Sequence, residues 1–145
     1  MNRVDAESLA RGGLLEALGI EIRELAPERV VVTMPITARH LQPFGFLHGG
    51  ASIALSETAA SLGGLRHCPP GHAAFGLEIN ANHLRPKRAG ALVATGVPLH
   101  LGRTTQVWDV KIADEDERLV CVSRCTLAVV RLGPTNGTID SPTPD

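Results

Sequence analysis

The segment best equipped for chemistry runs from position 42 to position 61 and reads QPFGFLHGGASIALSETAAS. Between Gly49 and Leu65, Glu57 is the only charged residue. A carboxylate in apolar surroundings is costly unless it is paired or used, because loss of water disfavours its ionised form. Glu57 is therefore a candidate functional residue. The alternative is that Glu57 lies at the edge of the helix, where its carboxylate reaches solvent or accepts a hydrogen bond from a capping donor.

Two adjacent glycines, Gly49 and Gly50, stand where a helix is predicted to begin. Glycine lets an incoming group approach the backbone, and the free N–H groups of the first helical turn point towards it. Such an end stabilises negative charge, including the oxyanion formed during acyl transfer. The Gly49 N–H is accordingly a candidate oxyanion donor, with a helix start needed only for tight packing as the alternative.

The spacing of Gly49 and Glu57 limits how the two can cooperate. Eight helical residues separate them by roughly 12 Å, which is too far for both to act on one carbonyl carbon. If both are catalytic, Glu57 of one copy must face Gly49 of another across two antiparallel helices. The sequence then predicts a composite site and an obligate dimer.

Three further polar residues belong to this constellation. Ser61 lies one helical turn after Glu57, where it either positions a water or the carboxylate or simply packs. Gln42 and His48 lie in an otherwise apolar loop, and His48 either bonds a backbone carbonyl or contacts a substrate carbonyl. The set does not form a Ser-His-Asp triad, and we predict no metal site.

The elements that must position these residues follow from hydrophobic periodicity. Leucines at near-helical spacing predict a first helix that ends at Gly19, and a small, apolar segment predicts a buried central helix. The remainder alternates as strands. The predicted helices are 5–18 and 49–66, and the predicted strands are 20–25, 30–36, 73–85, 91–100, 104–113 and 118–131. Grouped strands predict an α+β fold, with an antiparallel sheet wrapped around the long central helix.

Composition sets the broad class of the protein. The chain has 145 residues, 43% of them hydrophobic and 3% aromatic, with a net charge of -1. This disfavours nucleic-acid binding, which relies on basic patches and aromatic stacking. Three cysteines without metal or disulfide spacing predict a cytoplasmic protein, and the lack of a long apolar run predicts no membrane partner. We expect one domain over 1–132, followed by a disordered tail over 133–145.

These motifs together resemble the hotdog-fold acyl-CoA thioesterases, in the branch that carries a catalytic glutamate on the central helix. The resemblance spans about residues 8–131. The segments that carry it are QPFGFLHGGASIALSE (42–57), GLEINANHLRP (76–86), PLHLGRTTQVWDVKI (98–112) and RLVCVSRCTLAVV (118–130).

The resemblance implies a role for each matching position. Glu57 would be the nucleophile or general base, the Gly49 N–H would polarise the carbonyl, and Gln42 and His48 would support it. Ser61 falls where these enzymes keep a hydroxyl. Residues implied to contact coenzyme A or to line its channel are Arg85, Lys87, Arg88, Arg103, His83 and Thr104.

The resemblance also implies the reaction and its partners. We expect hydrolysis of an acyl-CoA with an aromatic or hydroxylated acyl group, such as a dihydroxynaphthoyl or hydroxybenzoyl group. No separate cofactor is expected, since coenzyme A is part of the substrate, and a homotetramer built from dimers is implied. Phe44 and Phe46 either pack against an acyl ring or plug the end of the helix. The alternatives are a non-catalytic acyl-CoA-binding module and a broad-range proofreading thioesterase acting on acyl-carrier-protein thioesters.

Overall fold

A computed structural model describes residues 12–133 of the chain. It contains two α-helices, one short 3-10 helix and six strands. In chain order these are α1 (Gly13–Leu18), β1 (Glu21–Leu25), β2 (Val30–Ile36), the 3-10 helix (Ala38–His40), α2 (Gly49–Arg66), β3 (His72–His83), β4 (Gly90–Leu101), β5 (Thr105–Asp114) and β6 (Leu119–Arg131).

The six strands form a single antiparallel sheet in the order β1-β2-β4-β5-β6-β3. Helix α2 packs across one face of this sheet and contacts β2, β3, β4, β5 and β6. This confirms the predicted α+β fold with an antiparallel sheet around a central helix. Within residues 12–133, no helix is both long enough and apolar enough to cross a membrane.

Close packing of α2 against the sheet depends on its small residues. A Cβ added at Gly63 would overlap the ring of Trp108, which is fully buried. Trp108 Nε1–H donates to Gln106 Oε1 (3.1 Å), and Gln106 Nε2–H donates to the Gly64 carbonyl (3.2 Å). The buried Trp108 ring therefore fills the space left by Gly63, and its hydrogen-bond partner Gln106 bonds to the helix backbone.

The predicted elements agree closely with the structure in the centre of the chain. Helix α2 has the predicted ends, and the strands begin and end within two residues of prediction. The first helix differs: α1 begins at Gly13, because Gly12 adopts a positive φ of 83° that stops a helix there. Gly19 ends it in the left-handed conformation, as predicted. Predicted helix residues 5–11 and tail residues 134–145 lie outside the described residues.

Candidate active site

The loop before α2 leaves one backbone donor without a partner at the start of the helix. The Gly50 N–H donates to His48 Nδ1 (2.8 Å), and the Ala51 N–H donates to the His48 carbonyl (3.0 Å). Among residues 12–133, the Gly49 N–H bonds to nothing. His48 therefore acts as a helix cap, and the predicted oxyanion donor is free to receive a ligand.

The loop is held on both sides by backbone hydrogen bonds. The Leu47 N–H donates to the Lys87 carbonyl (2.7 Å), and the His48 N–H donates to the His40 carbonyl (2.8 Å). His40 is buried, and its Nε2 lies 2.9 Å from the Leu18 carbonyl at the end of α1. The position of Gly49 is thus tied both to α1 and to the β3–β4 connection.

Glu57 lies half-buried on α2 against the backbone of β3. Its carboxylate lies over the Cα of Gly76, and a Cβ added at Gly76 would overlap Glu57 Oε1. Gly76 also stands at an irregularity in the β3–β6 register, between Gly76 and Glu78. A residue without a side chain is required here because the carboxylate occupies the space that a side chain would take.

Glu57 opens into a largely apolar cavity of about 610 Å³, which we call the Glu57 cavity. Its polar side chains are Glu57, Thr58 and Ser61, so the predicted pairing of Ser61 with Glu57 on one helix face is present. The apolar walls come from α1, α2 and β3: Leu14, Leu15, Gly50, Ile53, Ala54, Leu62, Leu65, Ala73, Ala74 and Phe75.

Gly49 lies in a different cavity, of about 470 Å³, which we call the Gly49 cavity. It also contains the predicted residues Gln42 and His83, and the His83 ring lies against the Cα of Gly49. One end is basic, at Arg85 and Lys87. The remaining lining residues are Phe46, Leu47, Ser52, Leu84, Pro86 and Val120.

Gly49 and Glu57 therefore serve two separate cavities within one copy of the chain. The rotation of 100° per helical residue accounts for this, since eight residues turn the helix by about 80° beyond two full turns. One copy does not bring the carboxylate and the free N–H to one carbonyl carbon. The geometry agrees with the separation predicted from the sequence.

The basic residues around Arg85 differ in whether they form salt bridges. Lys87 Nζ bonds Asp114 (3.2 Å) and Glu115 (3.3 Å), so its charge is already neutralised. Arg88 stacks over the Phe46 ring, with its guanidinium carbon 3.8 Å from the ring centroid. Within residues 12–133, neither Arg85 nor Arg88 forms a salt bridge. Both arginines are exposed, so their charges are available to bind an anionic ligand.

Asp114 is the buried centre of that ion-pair cluster. Loss of water alone would raise the pKa of Asp114, but hydrogen bonds from the Arg118 N–H and the Lys87 ammonium outweigh it and lower the pKa to about 2. Desolvation alone would lower the pKa of Lys87, but its hydrogen bonds to Asp114 and Glu115 outweigh this effect and raise the pKa. The cluster fixes Lys87, whose carbonyl anchors the loop before α2, and no pattern in the sequence indicated this cluster.

Arg103 and Thr104 lie far from Arg85 within one copy. Thr105 pairs with Ala128, which pairs with Phe75, so the β4–β5 turn lies beside the start of β3. Arg85 follows the other end of that strand, roughly 35 Å away. The predicted common channel therefore requires residues from two copies. The distance between Arg103 and Arg85 follows from the strand order of the sheet, which local sequence patterns do not predict.

The two loop phenylalanines have different environments. The Phe44 ring is 82% exposed and lines neither cavity. Phe46 lines the Gly49 cavity and packs under Arg88 instead of beside Glu57. Within one copy, the aromatic ring in the Glu57 cavity is Phe75. The sequence analysis did not predict Phe75, which lies on another element, as a cavity residue. Ile53 and Leu65 were predictable as cavity residues, because each lies four helical positions from Glu57 or Ser61.

The three cysteines are free thiols, and two of them, Cys121 and Cys125, are buried. Burial raises the pKa of Cys125 to about 12, and the nearby carboxylates of Glu57 and Glu78 add to the effect. Burial also raises the pKa of Cys121. Over residues 12–133, no group of three or more His, Cys, Asp or Glu residues is arranged to hold a metal ion.

Comparison with known proteins identifies the family. Residues 44–121 match the Thioesterase superfamily. The chain is 51% identical over 117 residues to a 1,4-dihydroxy-2-naphthoyl-CoA hydrolase of Listeria monocytogenes, covering 81% of this chain and 95% of that protein.

Solved structures agree with this assignment. A thioesterase of Haemophilus influenzae superposes with a TM-score of 0.85 at 43% identity, over 92% of this chain and 96% of the other. A Staphylococcus aureus protein, solved as a glutamate-to-alanine mutant, superposes with a TM-score of 0.80 at 44% identity, over 83% of this chain and all of that one. Its glutamine-to-alanine mutant, described as a thioesterase enzyme, superposes with a TM-score of 0.78. The chain belongs to the hotdog-fold thioesterase superfamily.

Proposed function

We propose that this thioesterase hydrolyses aromatic or hydroxylated acyl-CoA esters at a site assembled from two copies of the chain. One observation carries the proposal: α2 presents two functional groups to two different cavities. The Glu57 carboxylate lies in an apolar cavity, and the Gly49 N–H, which has no partner among residues 12–133, lies in a second one. Each cavity supplies one half of the machinery that thioester hydrolysis needs.

The second copy is proposed to join through β3. Within residues 12–133, β3 pairs only with β6, and its other edge exposes Phe75, Gly76 and Leu77. Such an edge is a template for pairing with another strand. Antiparallel pairing of two β3 strands would set the two α2 helices side by side in opposite directions. Glu57 of each copy would then approach Gly49 of the other, and a tetramer would be two such dimers.

The proposed chemistry divides between the two halves. The Gly49 N–H donates to the thioester carbonyl oxygen, supported by Gln42 and His48, and so stabilises the charge that develops there. Glu57 of the other copy either takes a proton from the attacking water or attacks the carbonyl carbon itself. In the first route water adds and the C–S bond breaks, while the proton passes through Glu57 to the departing thiolate. In the second, the C–S bond breaks as Glu57 forms an acyl anhydride and the thiolate leaves, and water then hydrolyses the anhydride to the free acid and the Glu57 carboxylate.

Coenzyme A is proposed to lie along the basic end of the Gly49 cavity. Arg85 and Arg88 have no acidic partner among residues 12–133, and guanidinium groups suit phosphate. Lys87 is already paired with Asp114 and Glu115, so we assign it a structural role. Arg103 and Thr104 of the second copy would complete the channel from the opposite end of β3.

The acyl group is proposed to occupy the Glu57 cavity. Leucine, isoleucine and phenylalanine side chains dominate its walls, and a volume of about 610 Å³ is typical of sites that hold small ligands. The hydroxyls of Thr58 and Ser61 lie among these walls. An aromatic ring suits the apolar surface, and ring hydroxyls suit the polar side chains.

The Staphylococcus aureus relative provides an independent parallel. The glutamine and the glutamate replaced by alanine in its two structures are fifteen positions apart. Gln42 and Glu57 have the same separation in this chain. This supports Gln42 and Glu57 as the pair to substitute first.

The free thiols also suit the proposed cytoplasmic location, where cysteines stay reduced.

Steady-state thiol release tests the proposal. The substrates are dihydroxynaphthoyl-CoA, 4-hydroxybenzoyl-CoA, benzoyl-CoA, a medium-chain aliphatic CoA and an acyl-carrier-protein thioester. We expect turnover of the aromatic CoA esters by the wild type and a loss of at least about 100-fold in Glu57→Ala. Equal, negligible hydrolysis by both proteins, with CoA esters still bound, would show a non-catalytic binding module. Preference for the carrier-protein thioester would support the proofreading alternative.

A further inference from the structure

Two serines of α2 carry buried hydroxyls with no hydrogen-bond partner. Ser52 is 1% exposed and Ser56 is fully buried, and neither Oγ finds a partner among residues 12–133. A helical hydroxyl can satisfy itself on the carbonyl four residues earlier, as Thr58 does by donating to Ala54 (2.7 Å). An unpaired buried hydroxyl costs stability, so a persistent one points to a ligand or a functional role.

The two serines differ in whether they line a cavity. Ser52 lines the Gly49 cavity, whereas Ser56 lines neither that cavity nor the Glu57 cavity. Ser52 therefore shares a cavity with the other unpaired donor of the site, the Gly49 N–H. Residues three apart are neighbours on a helix surface, and the Cα–Cβ bond tilts towards the helix N-terminus. The Ser52 side chain thus extends back over the turn that begins at Gly49.

We propose that the Ser52 hydroxyl is a second oxyanion donor, which acts with the Gly49 N–H on the thioester carbonyl oxygen. The inference rests on the proposed function. As the nucleophile adds to the carbonyl carbon, the π pair of the C=O bond moves to oxygen, and both donors bond more strongly to that charge. When the C–S bond breaks, the pair returns to re-form the carbonyl. Ser52 transfers no proton, so it stays neutral throughout.

A contact with the transition-state oxygen predicts a distinct kinetic pattern. Ser52→Ala should lower kcat for benzoyl-CoA by about 10- to 100-fold, because the hydrogen bond strengthens as charge develops. KM should change by less than about threefold, since the ground-state carbonyl binds the donor weakly. Ser56→Ala is the matched control, with the same residue type, helix and burial, and its kcat should stay within about twofold of the wild type.

Thermal stability separates this role from a structural one. Removing an unpaired buried hydroxyl should leave Tm unchanged or raise it in the free protein, for both Ser52→Ala and Ser56→Ala. A variant that loses activity while keeping its Tm has lost a functional contact. A fall in Tm that accompanies the loss of activity in Ser52→Ala would assign the hydroxyl to folding and overturn the proposal.

The contacted atom is identified with a thioester that lacks the amides of coenzyme A, such as S-ethyl thiobenzoate. The ratio of wild-type to Ser52→Ala kcat/KM should be the same for this compound as for benzoyl-CoA. If the ratio falls to one, the hydroxyl binds the pantetheine arm and the proposal is wrong. An unchanged kcat in Ser52→Ala, or an equal loss in Ser56→Ala, would also refute it. Absence of thioester hydrolysis by the wild type would instead refute the proposed function itself.

Discussion

The carboxylate of Glu57 on α2 lies against the Cα of Gly76 on β3. It occupies the space that a side chain at position 76 would take. The register of β3 with β6 is irregular at this position, between Gly76 and Glu78. The position of the Glu57 carboxylate is therefore set by a residue on another element, nineteen positions later in the chain. Glycine is required at this point by the close approach of Glu57.

The substitution Gly76→Ala tests this relationship. The added methyl group would displace the Glu57 carboxylate, so we expect kcat to fall by at least about tenfold, since a displacement of 1 Å can cost more than that. Gly76 is exposed on an edge strand, so Tm should change little. Gly133→Ala is the matched control, because a Cβ there would meet no heavy atom within 4 Å and its φ is not positive, whereas Gly71→Ala is unsuitable because its φ is positive. Unaltered kcat in Gly76→Ala would contradict the account.

The packing of α2 on Trp108 gives a prediction about stability. A Cβ at Gly63 would overlap the Trp108 ring, so Gly63→Ala should lower the free energy of unfolding by about 1–3 kcal/mol. Gly96→Ala is the control, because a Cβ there would lie 3.5 Å from the nearest heavy atom, in ordinary van der Waals contact. Chemical denaturation of both variants measures the difference. Equal stabilities for the two variants would show that α2 does not pack as described.

The Asp114 cluster predicts how stability depends on pH. The folded-state pKa of about 2 lies below the ordinary value of 3.8, so ionised Asp114 stabilises the folded protein above about pH 4. That contribution is lost as the pH falls from about 4 to about 2. Asp114→Asn should therefore have a lower Tm at neutral pH and a weaker dependence of Tm on pH in this window.

The matched control for this cluster is Asp116→Asn. Asp116 bonds the same Arg118, but its side chain is 65% exposed, so its substitution should have little effect on Tm. The two variants would be compared by thermal unfolding at intervals between pH 2 and 7. Parallel curves for the wild type and Asp114→Asn would mean that the pKa of this carboxyl is not depressed in the folded protein.

The buried thiols provide a test of how closely the core is packed near Glu57. The raised pKa of Cys125, about 12, and its complete burial predict that iodoacetamide does not modify it in the native protein at pH 8. Cys68 is only partly buried and should react first. Mass spectrometry before and after unfolding measures the modified fraction of each thiol. Native Cys125 that is alkylated as fast as Cys68 would show that the core beneath Glu57 is open.

The sequence predicted the helices and strands, and the placement of Gly49, Glu57 and Ser61 on one helix, because these features depend on local patterns. The ends of α2 follow from the Gly49 start and the apolar run, and the distance between Gly49 and Glu57 follows from helix geometry alone. Relationships between distant segments were not predictable in this way. The placement of Gly76 under Glu57, the burial of Asp114 beside Lys87 and the separation of Arg103 from Arg85 all depend on strand order and register.

The most direct test of the composite site is a hybrid of two inactive chains. Glu57→Ala keeps an intact Gly49 cavity, and Gly49→Val keeps an intact Glu57 cavity while its side chain blocks the N–H. The two chains would carry different affinity tags, be produced together and be purified as the mixed dimer, and benzoyl-CoA hydrolysis would be compared with that of each parent. Because one of its two sites would combine the intact halves, we predict about half of the wild-type activity in the hybrid. Activity no higher than that of the parents would contradict a site shared between copies.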